Sequence, residues 1–281
     1  MRNIEEVIQE KLREIERREN VKVLYAVESG SRAWGVASPD SDYDVRFIYV
    51  RNQKDYLRLD EVRDVIEWQL DEVLDINGWD LKKALCHFHK GNATLFEWCN
   101  SPVVYWTTPE WQEICEVGLN YFSEKVAMYH YYGTAKSTYE GFLKGKNVKY
   151  KKYVYALRPI LACRYIEANK SIPPVLFEEL KELQLPEELK EAVERMLEIK
   201  ARSGEKDLLP QVPEIIGFIE TELCRIETIA KEKKDDREAN WGPLNEAFRK
   251  LLNISEQNTK HLKTHAKQGV SGQKGVNQNY E

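Results

Sequence analysis

Asp42 and Asp44, at the head of the apolar run Tyr43 to Val50, are the residues whose type and spacing most directly imply chemistry. Side chains along a strand alternate faces with a period of two, so carboxylates at i and i+2 leave the same side close together and repel. A divalent cation relieves that repulsion. Mg²⁺ takes oxygen ligands at roughly 2.1 Å and is commonly held by one or two carboxylates together with substrate phosphates. Upstream, Ser29-Gly30-Ser31 closes an earlier apolar run, Val21 to Val27. Glycine adopts a left-handed or closely approached backbone at little cost. Free N–H groups at such a turn suit the β- and γ-phosphates of a nucleotide.

Other readings of the acidic stretch compete. Ser-Pro-Asp-Ser-Asp is good turn chemistry, and Asp40 is assigned to shaping that loop. A calcium-binding loop starting at Asp40 would need Gly at its sixth position and Glu at its twelfth. The chain has Val45 and Arg51 there. His87 and His89 flank Phe88 and are set aside as metal ligands, because residues two apart on a helix point in different directions.

Four strings carry a family resemblance: GSRAWGVASPDSDYDVR from Gly30, INGWDLKKAL from Ile76, GNATLFEWCNSPVVY from Gly91 and KKYVYALRPILACRY from Lys151. Together they resemble the branch of the DNA polymerase β nucleotidyltransferase superfamily associated with RNA repair, from about Val21 to about Leu223. The resemblance implies an α+β protein, with a polymerase β-like domain of mixed sheet and packed helices followed by an all-helical domain. It implies metal-dependent transfer of a nucleoside monophosphate from a nucleoside triphosphate to an acceptor hydroxyl. An RNA 3′ end, a small molecule and a protein side chain are the acceptors it leaves open, and a nucleotide-binding regulator without turnover is the non-enzymatic alternative. Carried onto this sequence, Asp42 and Asp44 hold two Mg²⁺ ions, for which Mn²⁺ can substitute. Gly30 and Ser31 cradle the triphosphate, with Arg32 in reach of it. A third carboxylate on a neighbouring strand activates the attacking hydroxyl.

Two residues compete for that third position. In Glu72 to Gly78, a strand presents Val73, Asp75 and Asn77 on one face and Leu74 and Ile76 on the other, which favours Asp75. Asp80 reads instead as an early-helix charge favoured by the positive end of the helix that follows.

A second constellation lies far along the chain. Lys151, Tyr155 and Arg158 fall at i, i+4 and i+7 on one helix face, with Lys152 beside them. The functional reading is a cationic wall in which Lys152 and Arg158 neutralise the triphosphate and Tyr155 stacks on the base or bonds a phosphate. The competing reading is a solvated basic helix with tyrosines packed beneath. Pro159 is expected to kink it.

The elements that must position these residues follow from periodicity. Asn3 caps a helix carrying Ile4, Val7, Ile8, Leu12 and Ile15 at helical spacing. Strands are expected over Val21 to Val27, Tyr43 to Val50 and the stretch before Gly78, with edge material at Leu57 to Leu59 and Val62 to Leu70. From Trp111 the pattern is helical almost throughout. The division expected is a catalytic domain over 1–108, a helical domain over 109–232, a docking helix within 233–254 and a disordered tail over 255–281, where apolar residues nearly vanish.

The 281 residues carry 42 Lys or Arg against 47 Asp or Glu, a net charge of −5 that excludes a uniformly nucleic-acid-coating surface. Yet from Lys136 to Tyr165 there are eight basic residues against one acid, Glu140, with six aromatics interleaved. That segment is where an RNA partner would bind. The five cysteines have no metal-ligand spacing, and neither a signal peptide nor a membrane span is apparent, which together read as a reducing, cytoplasmic setting without a membrane partner.

Overall fold

The computed structural model describes residues 3–38, 41–69, 73–204 and 207–253. In chain order its first part runs α1 (Ile4–Glu19), β1 (Lys22–Glu28), the single turn α2 (Gly30–Ala33), β2 (Tyr43–Val50), α3 (Gln53–Tyr56), β3 (Val65–Gln69), β4 (Leu74–Asp80), α4 (Leu81–His89), α5 (Ala93–Cys99), β5 (Val104–Thr107) and α6 (Pro109–Leu119). The rest is α7 (Glu124–Thr138), a π-helical turn (Tyr139–Leu143), β6 (Asn147–Val148), α8 (Lys151–Asn169), α9 (Phe177–Gln184), α10 (Glu187–Arg202), β7 (Leu209–Pro210), α11 (Pro213–Glu232) and α12 (Gly242–Leu251). This is an α+β protein: a mixed sheet with packed helices, then an almost all-helical part.

The five-stranded sheet has the order β3-β4-β2-β1-β5. β2 lies antiparallel to β1 and parallel to β4, with Asp44 opposite Asp75. Both faces are covered, as the apolar character of β1 and β2 requires. One face packs on Ile8, Leu12 and Ile15 of α1, whose Asn3 cap accepts the Glu5 N–H. The other packs on α4, α5, α6 and α12. A separate core of α7 to α11 surrounds the buried Tyr153, Leu157 and Ile160 of α8.

Three expectations change. The boundary at 108/109 falls inside one packing unit, because Trp111 of α6 stacks on Tyr25 of β1 at 5.1 Å between ring centroids. Long-range aromatic burial decides this, and no local pattern signals it. β4 does not stop at Gly78 but runs through it to Asp80. A Cβ at Gly78 would lie 2.2 Å from the Phe47 ring, so glycine here makes room for the neighbouring strand's side chain. Leu57 and Leu59 form no strand and are exposed; among the described residues Val65–Gln69 supplies that edge. α12 buries Leu244 and sets Phe248 edge-on to Tyr56, and the tail over 255–281 lies outside the described residues. α8 runs unbroken through Pro159.

Candidate active site

The turn between β1 and β2 is built on Asp44. Its backbone N–H donates to Glu28 Oε1 (2.7 Å) and its carbonyl accepts from Ser29 N–H (2.9 Å), which fixes the first residues of β2 to the last of β1. Glu28 is buried and also accepts from the Tyr105 hydroxyl. Burial pushes its carboxyl up from 4.5, while the Tyr105 and Asp44 hydrogen bonds pull the other way. Gly30 has φ +62°, and a Cβ there would sit 2.6 Å from Asp44 Oδ2. The glycine is therefore required twice, by its left-handed backbone and by the carboxylate resting on it.

Arg32 turns inward on the same loop. Its Nε donates to the Asp42 carbonyl (3.1 Å) and its Nη2 to the Ser41 carbonyl (2.6 Å), and the guanidinium lies 3.7 Å over the Tyr43 ring. As placed, it braces the Asp42 turn from within. Asp42 itself is exposed, and Asp40 lies outside the described residues.

Asp75 lies beside Asp44 on the adjacent parallel strand, as the alternation of β4 predicts. The side chains of Asp44 and Asp75 are 35% and 49% exposed, open enough to meet a ligand. Asp80 is not a rival: it is 4% exposed, caps α4 by accepting the Lys82 N–H (2.8 Å) and accepts the Tyr56 hydroxyl (2.9 Å). The two carboxylates are joined by a residue the sequence reading missed. Arg46 Nη2 donates to Asp44 Oδ1 at 3.0 Å and to Asp75 Oδ2 at 2.9 Å. Its i+2 spacing from Asp44 placed it on the same face, but an arginine on a strand is too common to single out.

Asp42, Asp44 and Asp75 carry oxygen donors of the kind a hard divalent cation takes. Burial first raises the Asp44 carboxyl above 3.8, Arg46 opposes that, and the charges of Asp75 and Asp42 raise it further. Arg46 pairs with two of these three carboxylates, Asp44 and Asp75. Among the described residues no group of three or more acidic, histidine or cysteine side chains stands close enough to hold a metal ion; Arg46 holds Asp44 and Asp75 together.

The helical part touches this site through Trp34. Tyr155 of α8 packs edge-on to it at 5.1 Å, and Lys152 lies 4.0 Å over the Phe142 ring and 5.0 Å from Tyr155. Lys200 of α10, another residue the sequence reading missed, donates to the Val36 carbonyl (2.9 Å) and to Ser38 Oγ (3.3 Å). A lone lysine on an amphipathic helix gave no signal. Ser38 shares a small cavity with Tyr150, Lys151 and Lys200, so the basic segment adjoins the acidic turn.

Arg158 departs from its expected place on the cationic wall. It is 2% exposed, ion-paired with Glu97 at 2.7 Å, bonded to the Val175 carbonyl and 4.7 Å from the Trp34 ring. The helical repeat gave its face correctly but not that Glu97 and Tyr131 would seal that face. His87 and His89 pack on Trp79 and Trp241.

With this geometry in place, the comparisons with known proteins give the class. Residues 4–250 match the RNA repair pathway DNA polymerase beta family, and the chain belongs to that family. Its relatives include "Uncharacterized protein YcgL" of Bacillus subtilis (strain 168), 44% identical over 252 residues that cover 88% of this chain and 95% of that protein. The chain also aligns with a crystal structure of a nucleotidyltransferase-like protein from Exiguobacterium sibiricum 255-15, at 10% identity over 95% of this chain and 89% of that one. The TM-score of 0.26 is too low for that overlap to carry an argument. Among the described residues no helix is long and apolar enough to cross a membrane.

Proposed function

We propose that this chain transfers a nucleoside monophosphate from a nucleoside triphosphate to an acceptor hydroxyl, and that the acceptor is an RNA 3′ end. The observation that carries the transfer is the pairing of Asp44 with Asp75 across two parallel strands, with Gly30 packed on the Asp44 carboxylate. Asp42, Asp44 and Asp75 would hold the divalent cation. When bound, such an ion supplies charge neutralisation at the phosphates and acidity to the acceptor hydroxyl.

The chain's own residues do the rest. Gly30 and Ser31 receive the β- and γ-phosphates on the turn that Glu28, Ser29 and Arg32 keep in place. Asp75 is the carboxylate toward which the acceptor proton is drawn. The acceptor oxygen attacks the α-phosphorus in line, and the bond to the bridging oxygen of pyrophosphate breaks. Lys152 neutralises the leaving pyrophosphate and Tyr155 stacks on the base, Tyr155 lying beside Trp34 and Lys152 beside Tyr155. Arg158 acts as the strut beneath Trp34.

RNA is favoured because Tyr150 and Lys151, within the basic segment from Lys136 to Tyr165, share a small cavity with Ser38 beside the acidic turn, and basic side chains there suit a phosphate backbone. The test incubates the protein and Mg²⁺ with triphosphate labelled at the α-phosphate and offers RNA, a protein mixture and small hydroxylated acceptors in parallel. Label in RNA, with pyrophosphate released, supports the reading. Label in protein or a small molecule instead moves the acceptor assignment and keeps the chemistry. No metal-dependent pyrophosphate with any acceptor removes the enzyme and leaves a nucleotide-binding regulator.

A further inference from the structure

Arg46 is more than a neighbour of the acidic pair. It follows Asp44 by two residues on the same strand face and stands in register with Asn77, two beyond Asp75. Its Nη2 spans Asp44 and Asp75, and its Nη1 donates to the Val45 carbonyl at 3.1 Å and the Asp75 carbonyl at 3.4 Å. One guanidinium thus stands where the two carboxylates converge, its side chain 19% exposed.

We propose that Arg46 is an internal counter-cation that occupies the Asp44–Asp75 bridge in the resting protein and is displaced from it when a divalent ion enters. The site is then opened by exchanging one cation for another rather than being preformed. This rests on the metal-dependent reading above.

Three points carry it. Aspartates on adjacent strands facing one way repel, and a cation between them relieves that repulsion. A guanidinium cannot meet that need by gaining or losing a proton, so it leaves only by moving. Ion pairs between partly exposed groups hold weakly, which suits a cation that must later yield. A divalent ion brings twice the charge and can bind Asp42 as well, and so competes effectively. Arg46 then acts as a positioning residue: it keeps both carboxylates aligned, and it lowers their affinity for metal in the absence of nucleotide.

The test is Mn²⁺ binding to the full-length, nucleotide-free protein, read by electron paramagnetic resonance of the unbound ion, with circular dichroism to confirm folding. Arg46→Gln should bind Mn²⁺ at least ~10-fold more tightly than wild type, about 1.4 kcal/mol, and adding Asp75→Asn should erase the gain. Arg46→Lys, whose ammonium reaches one carboxylate at a time, should fall between, and it carries the test if the glutamine variant does not fold. Equal or weaker Mn²⁺ binding by both variants overturns the proposal and makes Arg46 a fixed strut. No Mn²⁺ binding by wild type or either variant overturns the metal reading itself, an outcome distinct from equal binding.

Discussion

Two charged clusters stand on either side of the Gly30 to Trp34 turn, and they contrast sharply. On one side Asp44, Arg46 and Asp75 are partly exposed, and the acids outnumber the base. On the other, Arg158 and Glu97 form a single pair, 3% and 17% exposed by side chain, closed over by Trp34, Tyr131 and the Val175 carbonyl. The first has spare negative charge facing solvent and stays open to a ligand. The second balances its charges inside the protein and is built to hold still. What separates an ion pair that works from one that supports is therefore its charge balance and its access to water. Residue type does not separate them, since arginine meets carboxylate in both.

The largest effect on stability should come from breaking the closed pair. Arg158→Met leaves Glu97 partly buried without its cation, and losing one partner of a buried pair costs about 3–5 kcal/mol. Chemical denaturation should show that loss. Arg158→Met combined with Glu97→Leu should recover most of it, because an apolar replacement of both partners is often neutral. If the single variant were as stable as wild type but lost nucleotide binding, Arg158 would belong to the working cluster after all.

Next in size is Gly30→Ala. A left-handed backbone costs a residue with a Cβ about 1–2 kcal/mol, and here that Cβ also strikes Asp44 Oδ2. Transfer activity per folded molecule should fall much further than the melting temperature suggests. A parallel fall in both would mean that Gly30 only shapes the turn.

Asp80→Ala sharpens the comparison from outside both clusters. Losing the α4 cap costs about 1 kcal/mol, and activity per folded molecule should be unchanged. A loss of transfer with stability intact would return Asp80 to the carboxylate set.

The smallest effect is a pH dependence. The Glu28 carboxyl is raised above 4.5 in the fold, so the folded chain holds this proton more readily than the unfolded chain does. Its stabilising contribution is complete below 4.5 and is lost as pH rises through the raised value. Glu28→Gln does not titrate. The variant's melting temperature relative to wild type should therefore rise from acid to neutral pH, and a flat or falling difference would contradict the assignment.

The open cluster was largely legible in the sequence because strand geometry is local. A period of two set Asp75 opposite Asp44, a glycine before Asp44 marked the turn, and Asp42 lies just before β2 begins. The closed cluster was not legible. Arg158 meets Glu97 across 61 residues, and helical spacing gives the face a residue occupies but not what will cover it. The same blindness put the domain boundary at 108/109, since Trp111 finds Tyr25 only in three dimensions. Arg46 and Lys200 were missed for a different reason: each is an ordinary cation on an ordinary element, and only its partners distinguish it.

The central claim is tested most directly by following transfer of α-labelled nucleoside monophosphate to RNA with wild type, Asp44→Asn and Asp75→Asn, each checked for unchanged thermal unfolding. Both variants should lose more activity than the ~10–100-fold typical of removing an outer-shell partner of a metal site. Transfer at the wild-type rate by either well-folded variant would contradict the account.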